Sequence, residues 1–492
     1  MTDVSPTDSG SMTSTVRTRF APSPTGNMHV GNLRIAIFNY LFARKYRGAF
    51  LLRVEDTDVA RNLEGSLDRL LEDLRWAGIE WDEGPDIGGP FVPYVQSKRN
   101  DRHMEKAIDL EERGLAYRCF CTNAEIEAAR TEGRNSPRCP GGCRTLDPDD
   151  AKERERHESS TAAIRFAVPD GDIEVNDHIR GLISFHSRDM GDFIILRTDG
   201  RATYNFAVVV DDVDMEITHV IRGADHLSNT PKQALLFDAL GSPRPVFAHL
   251  PTVLGPDGSR LSKRTGSPGI DRLRAEGFHP DAVVNYLSLL GWSPGDNREI
   301  MSRSEIVRAL DLDRVRPSNT VYDPEKMRWI SAQHIACMPT EELASAVGPY
   351  IDRKEFPQES VNLLPAIEAV RSRLHTFGEI NGALRILLPD TDTLKTARKE
   401  LAEDPEAALR VLRAVRDRLE TLDPWTVEDT ARAVREAGQE LEVNGPSLFH
   451  PVRLALCGAR SGPDLGKVLA ALGRKRVLLR LSEAGGSIEG RP

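Results

Sequence analysis

The chain has 492 residues, 39% hydrophobic and 28% charged, with a formal net charge of −10. That length predicts roughly two to four domains, and the composition is that of a globular protein rather than a disordered or fibrous one. No apolar run approaches the ~20 residues of a membrane span, and the acidic balance confines any nucleic-acid binding to local basic patches.

Residues 1–15 are rich in Ser, Thr and Asp and have neither a basic start nor an apolar core. A disordered leader is expected there rather than a signal peptide, and with it a cytoplasmic location. The sequence then carries Thr18-Arg19-Phe20 as the end of a strand. Pro22, Pro24 and Gly26 hold a non-repetitive loop, and His29 and Gly31 open a segment with Leu33, Ile37 and Leu41 at helical spacing. Ala49 to Val54 reads as a second strand, so residues 17–54 predict one βαβ unit with a helix N-terminus offered to phosphate.

Helical pattern returns at Leu63 to Trp76 and Lys98 to Arg113. Residues 116–190 break the alternation and read as an insertion with short strands such as Ala163 to Val168. It holds four of the six cysteines, Cys119, Cys121, Cys139 and Cys143, spaced Cys-x-Cys, seventeen residues, Cys-x-x-x-Cys. Four thiolates suit a structural tetrahedral Zn²⁺ at ~2.3 Å; the plain alternative is a set of buried thiols. Cys337 and Cys457 stand alone.

Phe193 to Leu196, Phe206 to Val210 and Ile217 to Ile221 read as strands. Thr230-Pro231 predicts a helix to Gly241 with Thr at the cap and Pro in the first turn. Phe247 to Leu254 and the turn Gly255-Pro256-Asp257-Gly258 lead to a loop carrying Ser262 and Lys263. From Asp281 onward the pattern is helical, for example Asp281 to Leu290, Glu341 to Tyr350, Ala407 to Leu419 and Val427 to Ala437, with a boundary near 335. Basic clusters occur at Lys395, Arg398 and Lys399, at Arg410, Arg413 and Arg416, and at Arg474, Lys475, Arg476 and Arg480. Solvated helix faces balanced by Asp and Glu are the plain reading of them.

The stretch Ala21-Pro22-Ser23-Pro24-Thr25-Gly26, then His29-Val30-Gly31-Asn32, then Glu55-Asp56-Thr57-Asp58, resembles the catalytic start of bacterial-type glutamyl-tRNA synthetases. Arg260-Leu261-Ser262-Lys263-Arg264 resembles the second signature of class I aminoacyl-tRNA synthetases, although Arg260 stands where that family usually has Lys. Thr203-Tyr204-Asn205-Phe206 to Asp211-Asp212 and Val220-Ile221-Arg222-Gly223 also match. The resemblance implies a class I Rossmann-type catalytic domain over 16–335, with 116–190 as an acceptor-stem-binding insertion, and a helical anticodon-binding region over 336–492. It implies ligation of L-glutamate to tRNA(Glu) through an adenylate, with ATP and Mg²⁺ as the substrate complex, and a monomer with no membrane attachment; members of that family differ in whether they hold zinc here, so the expectation of zinc at the four cysteines rests on the count of thiolate ligands.

The same resemblance assigns residues. His29 and Lys263 carry the catalytic role, and His29, Gly31, Ser262, Lys263 and Arg264 bind ATP. Arg19, Ala21, Ser23, Glu55, Tyr204 and Arg222 bind glutamate, with Glu55 on the amino group, Arg19 and Arg222 on carboxylates and Tyr204 as an orienting hydroxyl. The bland alternatives are a helix-capping His29, an ion pair of Glu55 with Arg53 or Arg61, and a surface ion pair of Arg222 with Asp225. A glutaminyl-tRNA synthetase is the nearest rival and is expected to differ at Ala21–Gly26 and Glu55. A nucleotidyltransferase sharing the His-x-Gly loop has no use for the helical tail.

Overall fold

The computed structural model describes residues 15–24, 26–57, 65–131, 139–147, 149–150, 153–154, 162–259, 261, 268–357 and 362–488. Two compact units divide the chain: residues 1–271 with 284–323, and residues 272–283 with 324–492.

The first unit is built on strand β1 (Arg17–Phe20), helix α1 (Val30–Lys45) and strand β2 (Ala49–Leu52). β1 and β2 pair in parallel with Arg19 opposite Leu51, so the expected βαβ unit is present. Leu33, Ile37 and Leu41 of α1 are fully buried. The remaining strands are β3 (Ala116–Cys119), β4 (Ala163–Phe166), β5 (Asp172–Asp177), β6 (Gly181–His186), β7 (Phe193–Leu196), β8 (His219–Gly223), β9 (Val246–Leu250), β10 (Val253–Leu254) and β11 (Thr320–Val321). The main sheet has the order β2-β1-β8-β9-β5-β6, parallel throughout except for the β5–β6 hairpin at its edge. A separate antiparallel sheet, β3-β4-β7, carries the insertion.

Three expectations change. Phe206 to Val210 is not a strand but the middle of a helix, Tyr204–Asp214. Its run of apolar, β-branched residues is buried on every side, and a helix buried all round shows no period by which to tell it from a central strand. The span 116–190 is not wholly apart from the main sheet, because β5 and β6 lie within it and extend the sheet past β9. Alternate residues Ile173, Val175 and Asp177 of β5 face inward. Finally, Thr230 is not a cap. The Thr230–Ala239 helix is preceded by Asn229, has Pro231 in its first turn as expected, and uses the Thr230 hydroxyl elsewhere.

The second unit is helical, including Thr340–Val347, Leu363–Val370, Pro405–Glu420, Val427–Glu440 and Leu465–Ile488. The last breaks at Gly473, whose φ of 74° favours glycine. Val411, Val415, Leu419, Val434 and Leu469 form part of one apolar core. Among the expected basic clusters, Lys395, Arg398 and Arg416 pair with Asp392, Glu483 and Asp417. Arg480 donates to the carbonyls of Leu387 and Leu456, which is a structural use. Among the described residues, no helix is long and apolar enough to cross a membrane.

Candidate active site

All six residues expected to bind glutamate line one cavity of about 360 Å³: Arg19, Ala21, Ser23, Glu55, Tyr204 and Arg222. The sheet explains the convergence. β1 and β8 are adjacent parallel strands, so Arg19 and Arg222 emerge near the same carboxyl ends, where ligands of open α/β sheets bind. The chain beyond β2 stays hydrogen-bonded to β1's continuation, Glu55 N–H donating to the Pro22 carbonyl at 3.0 Å, which brings Glu55 to the same mouth. Tyr204 begins the helix that follows β7.

One side of the cavity is a compensated charge cluster. Arg19 Nε donates to both Asp212 oxygens at 3.1 and 3.3 Å. Arg53 is fully buried and donates to Asp212 Oδ1 at 2.6 Å and to Glu55 Oε1 at 3.1 Å. Asp211, one residue back on the same helix, takes Arg99 Nε at 2.7 Å and Gln96 Nε2 at 2.8 Å, with His103 Nε2 at 2.8 Å. Glu55 thus has the Arg53 pairing weighed from sequence and also lies on the cavity wall. Burial outweighs its arginine neighbours and raises its pKa above the ordinary 4.5.

The other side is different. Arg222 is only 5% exposed, and its guanidinium donates to Gln233 Oε1 at 2.7 Å, Thr230 Oγ1 at 2.9 Å and His249 Nε2 at 3.0 Å. All three acceptors are neutral. The surface pairing with Asp225 is therefore not its environment, and burial lowers its pKa to about 10. Tyr204 Oη sits 3.1 Å from His226 Nδ1, and burial pushes that imidazole down to about 4, so it is neutral at pH 7. Burial raises the Tyr204 hydroxyl well above its usual value, keeping it protonated.

A second cavity of about 160 Å³ adjoins at the N-terminus of α1, with His29, Gly31, Asn32, Asp225, Thr252 and Leu261 on its walls. His29 is the N-cap of α1: Gly31 N–H donates to His29 Nδ1 at 3.1 Å. Capping through Nδ1 puts the proton of the neutral ring on Nε2, so a cap and a phosphate donor are compatible roles. A Cβ at position 31 would lie 3.0 Å from His29 Cε1 and Nδ1, so a larger residue there would press on the capping ring. Arg260, Ser262, Lys263 and Arg264 lie outside the described residues.

The four cysteines of the insertion do converge. Their Sγ atoms all lie within 4.8 Å of one another, with Cys121 3.0 Å from Cys139 and 3.9 Å from Cys143, and Cys119 3.5 Å from Cys139. Tetrahedral zinc at ~2.3 Å would need separations of ~3.8 Å, so the donor set fits a metal ion with small adjustments. The tight turn at Gly142, with φ 65° and its N–H on the Cys139 carbonyl at 3.2 Å, brings Cys143 back to Cys139.

Sequence reasoning passed over Arg53, His249, Gln233 and Thr230 as site residues. Arg53 and Glu55 flank Val54 in extended chain, and alternation places them on one side. Asp211 and Asp212 follow Tyr204 by seven and eight residues, one helical face.

Comparison with known proteins identifies the family and the fold. The family described as "tRNA synthetases class I (E and Q), catalytic domain" matches residues 15–329, and the family described as "Anticodon binding domain" matches residues 342–485. The chain is 43% identical over 484 residues to the glutamate–tRNA ligase of Desulforudis audaxviator, covering 96% of each chain. It is 40% identical over 479 residues to that of Heliobacterium modesticaldum, covering 95% of this chain and 96% of the relative. A crystal structure of a glutamate tRNA ligase from Elizabethkingia meningosepticum in complex with its amino acid superposes with a TM-score of 0.80 at 30% identity, covering 96% of this chain and all of that one. A class I catalytic domain followed by a helical anticodon-binding domain, at these identities over nearly the whole length, means that the chain belongs to the glutamate–tRNA ligase family of class I aminoacyl-tRNA synthetases.

Proposed function

We propose that the larger cavity holds L-glutamate and the adjoining one ATP, and that the chain joins glutamate to tRNA(Glu) in two steps. The α-carboxylate oxygen of glutamate attacks the α-phosphorus of ATP and pyrophosphate leaves. A ribose hydroxyl at the tRNA 3′ end then attacks the carbonyl carbon and AMP leaves. Both steps ask the protein mainly to position reactants and to meet developing negative charge with fixed donors.

The observation that carries the reading is the buried Arg222 guanidinium, which faces the cavity with neutral partners only. A desolvated cation without a counter-ion calls for an anionic group, and its planar fork suits a carboxylate. Glutamine would leave it uncompensated, so shape need not separate two nearly isosteric amino acids. Glu55, on the same cavity, suits the amino cation, and Arg19 the α-carboxylate. Tyr204 and Ser23 add hydrogen bonds, and the Ala21 backbone borders the ligand. His29 Nε2–H and the N–H groups at the start of α1 suit phosphate oxygens beside Gly31. Lys263, with Ser262 and Arg264, takes the pyrophosphate side. Mg²⁺ accompanies ATP. Residues 116–190 serve the acceptor end of the tRNA and residues 336–492 its anticodon, in a cytoplasmic monomer.

Cys119, Cys121, Cys139 and Cys143 hold one structural Zn²⁺, an all-thiolate set that leaves no open catalytic position. Aminoacylation of purified tRNA(Glu) with labelled glutamate and ATP tests the reaction, and no glutamyl-tRNA formed by the full chain would contradict it. Elemental analysis tests the metal: one zinc per chain is expected, and four titrating thiols with no metal would rule it out.

A further inference from the structure

Arg222 does not stand alone behind the cavity. Its Nε–H meets His249 Nε2 at 3.0 Å, and His249 Nδ1 lies 2.5 Å from Asp177 Oδ2. The side chains of His249 and Asp177 are both fully buried. Register fixes the chain of contacts: Arg222 on β8 is directly opposite His249 on β9, and Asp177 ends β5, the next strand along, opposite Phe247.

Thr230 Oγ1 also lies 3.1 Å from His249 Nε2, but its own proton has the His226 carbonyl at 3.3 Å, so the contact with Arg222 sets the tautomer of the ring. An arginine Nε can only donate, so His249 Nε2 must accept, and its proton is therefore on Nδ1, pointing at Asp177. Asp177 also accepts the backbone N–H groups of Ile179 at 3.1 Å and Arg180 at 2.9 Å, which hold its carboxylate in place; against the cost of burial, the His249 hydrogen bond first and the Arg180 N–H after it hold its pKa below the ordinary value. Burial lowers the His249 pKa, so the ring is neutral at pH 7. The imidazole thus ties Arg222 down while keeping the Asp177 carboxylate a ring's width away. A carboxylate in direct contact would hold Arg222 equally well but would cancel its charge before any ligand arrived.

We propose that His249, oriented by Asp177, is a positioning residue that sets amino-acid specificity by holding Arg222 in place without neutralising it. This rests on the reading of Arg222 as the partner of the glutamate side-chain carboxylate. The reacting atoms are not touched, so the effect falls on glutamate capture rather than on the chemical steps.

Steady-state aminoacylation by the full-length chain with tRNA(Glu) tests this, with KM for glutamate, KM for ATP and kcat measured for His249→Leu, His249→Gln and Arg222→Leu. In His249→Leu the orphaned Arg222 Nε–H should raise KM for glutamate by about tenfold or more. KM for ATP and kcat should stay within about twofold. His249→Gln, whose amide oxygen again offers a neutral acceptor, should recover most of the loss. Equal losses in both His249 variants, or a fall in kcat and ATP affinity alongside melting temperature, would overturn the positioning role. If Arg222→Leu raises KM for glutamate and His249→Leu does not, only this inference fails. If Arg222→Leu leaves it unchanged, the assignment of Arg222 fails as well. Should His249→Leu not fold, ¹⁵N-histidine NMR of the unmodified protein decides: a proton on Nδ1 with a bare Nε2 is expected, and a protonated Nε2 overturns the inference.

Discussion

Two arginines face the same cavity in opposite electrostatic states. Arg19 is bound through Nε to Asp212, and Asp212 also holds the buried Arg53, which in turn holds Glu55. Arg222 is equally buried and has only neutral acceptors: an amide oxygen, a hydroxyl, an imidazole nitrogen and, at 3.5 Å, the His226 carbonyl. The first side is balanced before a ligand enters, and the second is not. A balanced pair is a scaffold that orients; an unbalanced cation is a demand for a particular charge. One residue type therefore does two jobs, decided by the neighbours that the strands supply.

The contrast is open to attack from either side. The largest effect on folding is expected from Asp212→Asn, which leaves Arg19 and Arg53 short of a buried partner and should cost ~3–5 kcal/mol of unfolding free energy. Denaturant titration measures it, and a loss below ~1 kcal/mol would place the pair in the weak class of exposed ion pairs. Arg222→Lys keeps the charge but loses the three-way fork, and should cost ~1–3 kcal/mol in kcat/KM for glutamate with stability nearly unchanged. A parental value would mean that charge alone suffices.

A pH dependence follows from Glu55. Its folded-state pKa is raised above 4.5, chiefly by burial, so the folded protein binds this proton more tightly than the unfolded chain. Ionised Glu55 therefore costs stability, and acidification through the raised value relieves that cost. Capture of the amino cation needs the ionised form, so it is lost over the same window. KM for glutamate should rise on acidification beginning above pH 4.5, while this group's contribution to stability improves; a KM flat through that window would remove Glu55 from amino-group binding. The smallest effect is expected from Thr230→Val, the loss of one neutral acceptor, at about 1 kcal/mol in glutamate affinity by titration. A loss as large as that of Arg222→Lys would mean that Thr230 touches the ligand itself.

The scaffolded side of the site was the more legible in sequence. Arg53-Val-Glu55 announces two side chains on one face of extended chain, and the helical spacing from Tyr204 to Asp212 brings the second carboxylate round to meet them. Reading Phe206 to Val210 as a strand hid that spacing, because a helix buried on all sides carries no polar face to reveal its period. The Arg222 side was hidden for another reason. Thr230 and Gln233 share one helix, while His249 and Asp177 come from two other places in the chain and reach Arg222 only through sheet order, which places β9 and β5 successively beside β8. Because Asp177 lies in a span read as an insertion, nothing local connected it to Arg222. The cysteine cluster was legible throughout, since four thiols at short spacing need only a turn to converge.

Aminoacylation by Arg222→Leu across a glutamate titration, with tRNA affinity measured in parallel, tests the central claim most directly. Removing the uncompensated guanidinium should lower kcat/KM for glutamate by the equivalent of ~2–5 kcal/mol and leave tRNA binding nearly intact. If KM and kcat for glutamate stayed within a few-fold of the parent, Arg222 would be a structural residue, and the difference between the two sides of the cavity would have no part in choosing the amino acid.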